Sequence, residues 1–137
     1  MTYDEVFETL VKDGIIYQPP KDAIFNFVDD VLLHRVNSAY DSLSNCKRIG
    51  ESTLAILTVL YNSTKQVLQV QSYDGDNIEK STGLTAYQIK CARQRCNVYR
   101  IGDLVFMLQL IRDIEVDIKS GNLDESVAID YLLVNIL

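Results

Sequence analysis

Apolar residues recur every three or four positions along most of the chain, the spacing that places side chains on one face of an α-helix. In residues 20–35 this pattern is formed by Ile24, Phe27, Val28, Val31 and Leu32. In residues 103–119 it is formed by Leu104, Met107, Leu108, Ile111, Ile114 and Ile118. The last segment, residues 123–136, is almost wholly apolar. The pattern predicts amphipathic helices packed around a common core.

Capping residues and glycines set the predicted helix boundaries. Thr2 and Glu5 form a capping box that begins a short first helix, which Gly14 ends. The later N-caps are expected at Asn37 or Ser38, Glu51 or Ser52, Asp76, Thr85, Asp103 and Asn122. The later helices are expected to end at Gly50, Gly83 and Gly121. The prediction is an all-α fold, a compact antiparallel bundle of about six to eight helices with short loops.

One segment, residues 51–72, leaves a choice between helix and strand. Two apolar stripes, formed by Leu54, Leu57, Tyr61, Thr64 and Leu68 and by Ile56, Leu60, Val67 and Val70, predict a helix buried on more than one side. Residues 68–71 alternate as a strand does, and Asp74-Gly75 is a turn signal. A hairpin would need an alternating partner, which residues 77–83 do not offer. Helix is therefore favoured.

Pro19-Pro20 marks the predicted domain boundary, because proline cannot continue a helix but suits the start of one. Residues 1–18 are predicted to form a short helix and connector, with the tail of a preceding domain as an alternative. Residues 19–137 are predicted to form a single helical domain, since this length can bury one core.

Composition and charge narrow the class of protein. The hydrophobic share of 47% is too high for a disordered chain, and no apolar run reaches the length of about 18 residues that a membrane span needs. The acidic N-terminus lacks the basic start of a signal peptide. We therefore expect a cytoplasmic protein without membrane contact. The net charge of −6 opposes broad binding of nucleic acid.

The residues that usually perform chemistry are sparse. The only histidine is His34, and the cysteines Cys46, Cys91 and Cys96 lack the spacing of a zinc site. No nucleophile elbow and no phosphate-binding glycine loop is present. The sequence predicts no catalytic residue, no metal, no cofactor and no small-molecule substrate. The cysteines are interpreted as small buried hydrophobes, and His34 as a residue at a helix C-terminus, where it favours the dipole.

A basic segment spans residues 80–100, with no acidic residue in it. The candidates for contact with nucleic acid are Lys80, Lys90, Arg93, Arg95 and Arg100. A short helix, a turn at residues 83–85 and a basic second helix resemble a helix-turn-helix motif, which is the alternative function. In the second helix Tyr87, Cys91 and Val98 are expected to share one face, with Ile89 and Cys96 near it. The competing interpretation is a solvated surface, with weak phosphate contact at most.

Several stretches, in order, carry a family resemblance. These are residues 22–29 (DAIFNFVD), Gly50-Glu51 with residues 55–61 (AILTVLY) and 67–70, residues 83–87 (GLTAY) with Ile89-Lys90, residues 114–121 (IEVDIKSG), Ala128-Ile129 and Leu132-Leu133. From about residue 21 to residue 137 the chain resembles the C-terminal collar domain of the bacterial DNA polymerase III delta subunit, the clamp-opening subunit of the sliding-clamp loader. It departs from the family at Glu115, where Asp is typical.

The resemblance implies a collar-like, non-enzymatic domain that packs with other clamp-loader subunits during DNA replication. It implies that the apolar last helix is fixed in the bundle close to a subunit boundary. The interface residues predicted on this basis are Tyr131, Val134 and Leu137. From the residues alone, the surplus of apolar side chains can equally be buried within the chain.

Overall fold

The computed structural model describes residue 5 and residues 23–137. These residues form seven helices: α1 (Ala23–Leu32), α2 (Val36–Ile49), α3 (Thr53–Ser72), α4 (Ile78–Thr82), α5 (Ala86–Gln94), α6 (Ile101–Lys119) and α7 (Glu125–Ile136). No strand occurs in this part of the chain, so the all-α prediction is confirmed. The helix predicted for residues 2–14 and the boundary after residue 18 fall outside the described residues, Glu5 apart.

Helix α3 is the centre of the bundle, because α1, α5, α6 and α7 all pack against it. Its buried residues, all but Ser63 from the two predicted stripes, are Ile56, Leu57, Leu60, Ser63, Thr64, Val67 and Val70. The Thr64 hydroxyl stays satisfied in this core, since it donates a 2.7 Å hydrogen bond to the Leu60 carbonyl. Residues 68–71 are helical, as favoured, and the buried residues of the two stripes lie side by side on one broad face of α3, while Thr58, Asn62 and Lys65 are exposed on the opposite face.

The last two helices pack into the core through apolar residues whose helical spacing predicted these helices. Helix α6 buries Leu104, Met107, Ile111 and Ile114, whereas Leu108 and Ile118 are only partly buried. Helix α7 buries Ala128, Ile129, Leu132 and Leu133, and it packs against both α6 and α3. The apolar C-terminal segment is therefore docked within its own chain on one side.

Several predicted boundaries are confirmed. Ser52 caps α3 by accepting a hydrogen bond from the amide of Ala55. Thr85 and Gln88 form a reciprocal capping box at the start of α5. Gly50 and Gly83 follow their helices with positive φ angles of 88° and 73°, which glycine adopts without strain.

Other predicted caps are wrong, each for a local reason. Helix α2 begins at Val36, before Asn37 and Ser38, because His34 with φ 57° turns the chain early. Asp124 caps α7 in place of Asn122, because its Oδ1 atom accepts 2.9 Å hydrogen bonds from the amide and hydroxyl of Ser126.

The predicted caps Asp76 and Asp103 are also displaced from the helix starts. Asn77 precedes α4, and Arg100 precedes α6, and neither side chain makes a capping hydrogen bond. Asp103 instead lies in the first turn of α6, where a negative charge favours the helix dipole.

The face expected for the basic helix is also wrong. Helix α5 buries Ile89 and Ala92, while Tyr87 is 73% exposed and Val98 is 40% exposed. The helix ends at Gln94, so the helical spacing does not extend to Val98, which lies in the loop before α6. The prediction was wrong because it extended the helical periodicity of α5 beyond Gln94, where the helix ends.

Candidate protein-interaction surface

Helix α7 has apolar residues on its buried side and also on its exposed side. Opposite its buried side lie Val127, Tyr131 and Val134, at the i, i+4 and i+7 positions of one helical face. Their exposed fractions are 49%, 51% and 74%. We call these three residues the outer stripe. Two of the predicted interface residues, Tyr131 and Val134, belong to it, and Leu137 is partly buried at the chain end.

Polar contacts fix the orientation of α7 and hence the direction of the outer stripe. The Lys47 ammonium of α2 lies 2.6 Å from an Asp130 carboxylate oxygen. The Thr53 hydroxyl at the start of α3 donates a 3.4 Å hydrogen bond to the Glu125 carbonyl. At the N-cap, hydrogen bonds from Ser126 hold the pKa of Asp124 below its ordinary value. These contacts join α7 to two other helices at its N-terminal half.

A cleft of about 330 Å³ opens where the C-terminal end of α7 meets the start of α6. It is lined by His34, Val98, Tyr99, Asp103, Phe106, Met107, Asn135 and Ile136. We call it the Phe106 cleft, because the Phe106 ring is 49% exposed in its wall. Asn135 links it to the outer stripe, since its amide donates a 2.8 Å hydrogen bond to the Tyr131 carbonyl.

Tyr99 anchors the inner wall of the Phe106 cleft. Its hydroxyl donates a 2.6 Å hydrogen bond to the Val31 carbonyl, so it accepts from His34 Nδ1 at 3.2 Å. The two rings meet edge to face, with their centroids 5.7 Å apart. Burial, and then the negative charge of Asp103, raise the pKa of Tyr99 to about 12. His34 is therefore a packing partner of Tyr99, just past the end of α1.

The predicted basic residues do not form a single patch. Lys80, Lys90, Arg93 and Arg100 are exposed. The Arg95 guanidinium instead pairs with Asp29 at 3.1 Å, and its side chain is only 13% exposed. Lys90 and Arg93 line a groove between α4 and α5 in which Glu79 also lies. The positive charge of the segment is thus divided and partly neutralised.

Asp30 is an acidic residue with a structural role that the hydrophobic pattern does not predict. Asp30 is 8% exposed and accepts hydrogen bonds from the Ser42 hydroxyl at 2.5 Å and from Arg35 at 3.4 Å. It therefore ties α1 to α2. Its position three residues after the buried Phe27 places it on the buried face of α1.

The described residues show no arrangement that would hold a metal ion, since no three His, Cys, Asp or Glu side chains among them come together. Cys46 is buried, Cys91 and Cys96 are partly buried, and all three are free thiols. None of the helices in the described part is long and apolar enough to cross a membrane. The exposed apolar side chains of α6 and α7 form the candidate interaction surface.

Comparisons with known proteins support this view of the fold. The family model for the DNA polymerase III delta subunit, C-terminal domain, matches residues 21–136. The structure is similar to the DNA clamp loader delta protein of Bacillus subtilis, with a TM-score of 0.74 and 14% sequence identity. The match covers 92% of this chain and 38% of that protein, so the chain spans well under half of its length. A search of curated proteins gave no match.

The resemblance drawn from residues 21–137 is therefore confirmed by two independent comparisons, one of sequence and one of structure. The family model covers all seven described helices, from the start of α1 to the end of α7. On this basis the chain belongs to the family described as DNA polymerase III delta subunit, C-terminal domain.

Proposed function

We propose that the chain is a non-enzymatic assembly domain of a clamp loader, which packs with other loader subunits in the cytoplasm during DNA replication. Membership of the delta family and the likeness to a clamp loader delta protein support a clamp-loader-like subunit. The helical fold supports the same role, because its surface offers an apolar helix face for a neighbouring subunit.

The observation that carries this proposal is the two-sided apolar character of α7. A helix that served only to complete its own core would bury one face and expose polar residues on the other. Helix α7 buries Leu132 and Leu133 fully but exposes Tyr131 and Val134. Exposed apolar stripes of this kind mark surfaces that a partner covers, and tyrosine is enriched in such interfaces.

Mixing the purified chain with the delta-prime and tau/gamma subunits of the same loader tests the proposal. We expect co-elution in a complex whose measured mass includes the chain. Val134→Asp should remove the chain from that complex, because it buries a charge in an apolar interface. Phe25→Asp is the matched control, since Phe25 on α1 is 55% exposed and lies outside the outer stripe.

Two outcomes would contradict the assembly role. One is the absence of co-elution with every loader subunit. The other is equal loss of co-elution for Val134→Asp and Phe25→Asp, which would show that the effect has no connection with α7. The alternative, a helix-turn-helix DNA-binding protein, is less well supported, because Arg95 pairs with Asp29 and Glu79 lies beside Lys90 and Arg93.

A further inference from the structure

The Phe106 cleft combines apolar walls with one carboxylate that has no counter-ion among residues 23–137. Val98 and Phe106 line the cleft, and the two residues are 40% and 49% exposed to solvent. Asp103 lines the same cleft and makes no ion pair with any residue between 23 and 137. An apolar wall beside an unpaired carboxylate suits a side chain that has an aliphatic stem and a cationic head.

The other polar groups of the cleft do not compete for such a cation. The Tyr99 hydroxyl is already engaged with the Val31 carbonyl and with His34, and the Asn135 amide donates to the Tyr131 carbonyl. The charge of Asp103 is felt inside the cleft, because it contributes to the raised pKa of Tyr99. Asp103 is therefore the group in the cleft best suited to receive a cation.

The chain from α6 to the last residue carries a net negative charge, although Asp103 is the one acidic residue of this stretch that lines the cleft. Residues 101–137 contain seven acidic residues and two basic ones, which gives a net charge of −5 for this part of the chain. The acidic residues are Asp103, Asp113, Glu115, Asp117, Asp124, Glu125 and Asp130. A potential of one sign steers a partner of opposite sign to the surface and sets its orientation.

We propose that the Phe106 cleft receives an arginine or lysine side chain from a basic surface of the loader subunit that covers α7. This inference rests on the proposed assembly function and names the chemistry of the partner. The cationic head pairs with the Asp103 carboxylate, and its stem lies against Val98 and Phe106. An arginine would also stack on the Phe106 ring, which gains from the attraction between a cation and an aromatic face.

The test measures the dissociation constant of the chain with the loader subunit that co-elutes with it, over a range of salt concentrations. Asp103→Asn keeps the shape of the side chain and removes its charge. We expect it to weaken binding about tenfold at low salt, the factor for one lost charge-assisted hydrogen bond. It should also reduce the dependence of binding on salt. Phe106→Ala should weaken binding at all salt concentrations.

Asp113→Asn is the matched control, because Asp113 is an exposed acid on the same helix but does not line the cleft. It should change the dissociation constant less than about twofold, well under the tenfold effect above. Thermal unfolding of each variant shows whether a loss of binding comes from a loss of folding.

The possible results separate this inference from the function on which it rests. Binding that is strong but equally insensitive to Asp103→Asn, to Phe106→Ala and to salt overturns the cleft proposal alone. Absence of binding to every loader subunit overturns both. A mass of the chain alone that rises with concentration, and that Asp103→Asn lowers, would show that a second copy occupies the cleft, and it would overturn the assignment to a loader subunit.

Discussion

Tyr99 and Val31 are joined by a 2.6 Å hydrogen bond between the tyrosine hydroxyl and the valine carbonyl, across 68 positions of sequence. The bond ties the loop before α6 to the end of α1. It also fixes the Tyr99 ring in the wall of the Phe106 cleft, beside His34. The shape of the cleft therefore depends on this contact between the end of α1 and the loop before α6.

This contact predicts a loss of stability in alkaline solution. The pKa of Tyr99 rises from 10.0 to about 12 in the folded protein, so the unfolded phenol ionises first. The contribution of Tyr99 is complete below about pH 10 and is lost as the pH rises from about 10 to about 12. Titration of phenolate absorbance should show a late-titrating tyrosine, whose signal Tyr99→Phe removes. A late titration that persists in Tyr99→Phe would assign it to another tyrosine.

Removal of the Asp103 charge should lower the pKa of Tyr99, because that charge disfavours the phenolate. The shift should be downward but incomplete, since burial is the larger cause. The same absorbance titration on Asp103→Asn measures it. An unchanged late titration would mean that Asp103 does not act on the cleft.

The capping box at Thr85 predicts a modest loss of stability on substitution. Thr85→Ala removes the 3.2 Å hydrogen bond from the Gln88 amide to the threonine hydroxyl. Loss of an N-cap costs about 1 kcal/mol of unfolding free energy. Urea denaturation measures it, and Thr58→Ala is a control, because Thr58 is exposed in the middle of α3. Equal effects of the two substitutions would argue against the cap.

Substitutions of Leu132 and Val134 should differ greatly in their effect on stability, although the two residues lie only two positions apart on α7. Leu132 is fully buried, so Leu132→Ala should lower the unfolding free energy by about 2–5 kcal/mol. Val134 is 74% exposed, so Val134→Asp should change the stability by less than about 0.5 kcal/mol. Thermal or urea unfolding compares them. A large loss for Val134→Asp would place the outer stripe inside the chain's own core.

The phosphate contact predicted for the basic segment is open to a direct test. If Lys90 and Arg93 contact phosphates, replacing both by alanine should reduce the salt slope of duplex binding by about two. Lys65→Ala is a control of the same charge type, because Lys65 is exposed on α3. No binding at low salt, or a slope unchanged in the double variant, would remove the contact from consideration.

The core could be read from the sequence because helical periodicity encodes burial directly. Leu104, Met107, Ile111 and Ile114 recur at helical spacing, and each is at most 1% exposed. The two stripes of α3 predicted its central position correctly, although its buried residues lie on one broad face and not on separate sides. The family could also be recognised from the sequence, because motifs in the family's order extend over most of the chain.

The caps were harder to predict because neighbouring residues compete for the same N-cap position. The cleft was harder to predict because its residues are far apart in the sequence. Asn122 and Asp124 are both good N-caps, and only the hydrogen bonds to Ser126 decide for Asp124. The Phe106 cleft joins residues from the end of α1, the loop before α6, and both last helices. No local sequence pattern predicts that these residues lie together. The burial of Asp30 was missed for the same reason, because its partner Ser42 lies on another helix.

The mass of the complex formed with loader subunits is the most direct test of the central claim, that α7 is fixed within its own chain and offers its outer stripe to another subunit. We expect the chain to join a complex of defined mass, Val134→Asp to remain folded but leave that complex, and Phe25→Asp to stay in it. A chain that remains alone with every loader subunit, or a folded Val134→Asp that still joins the complex in full, would contradict the claim.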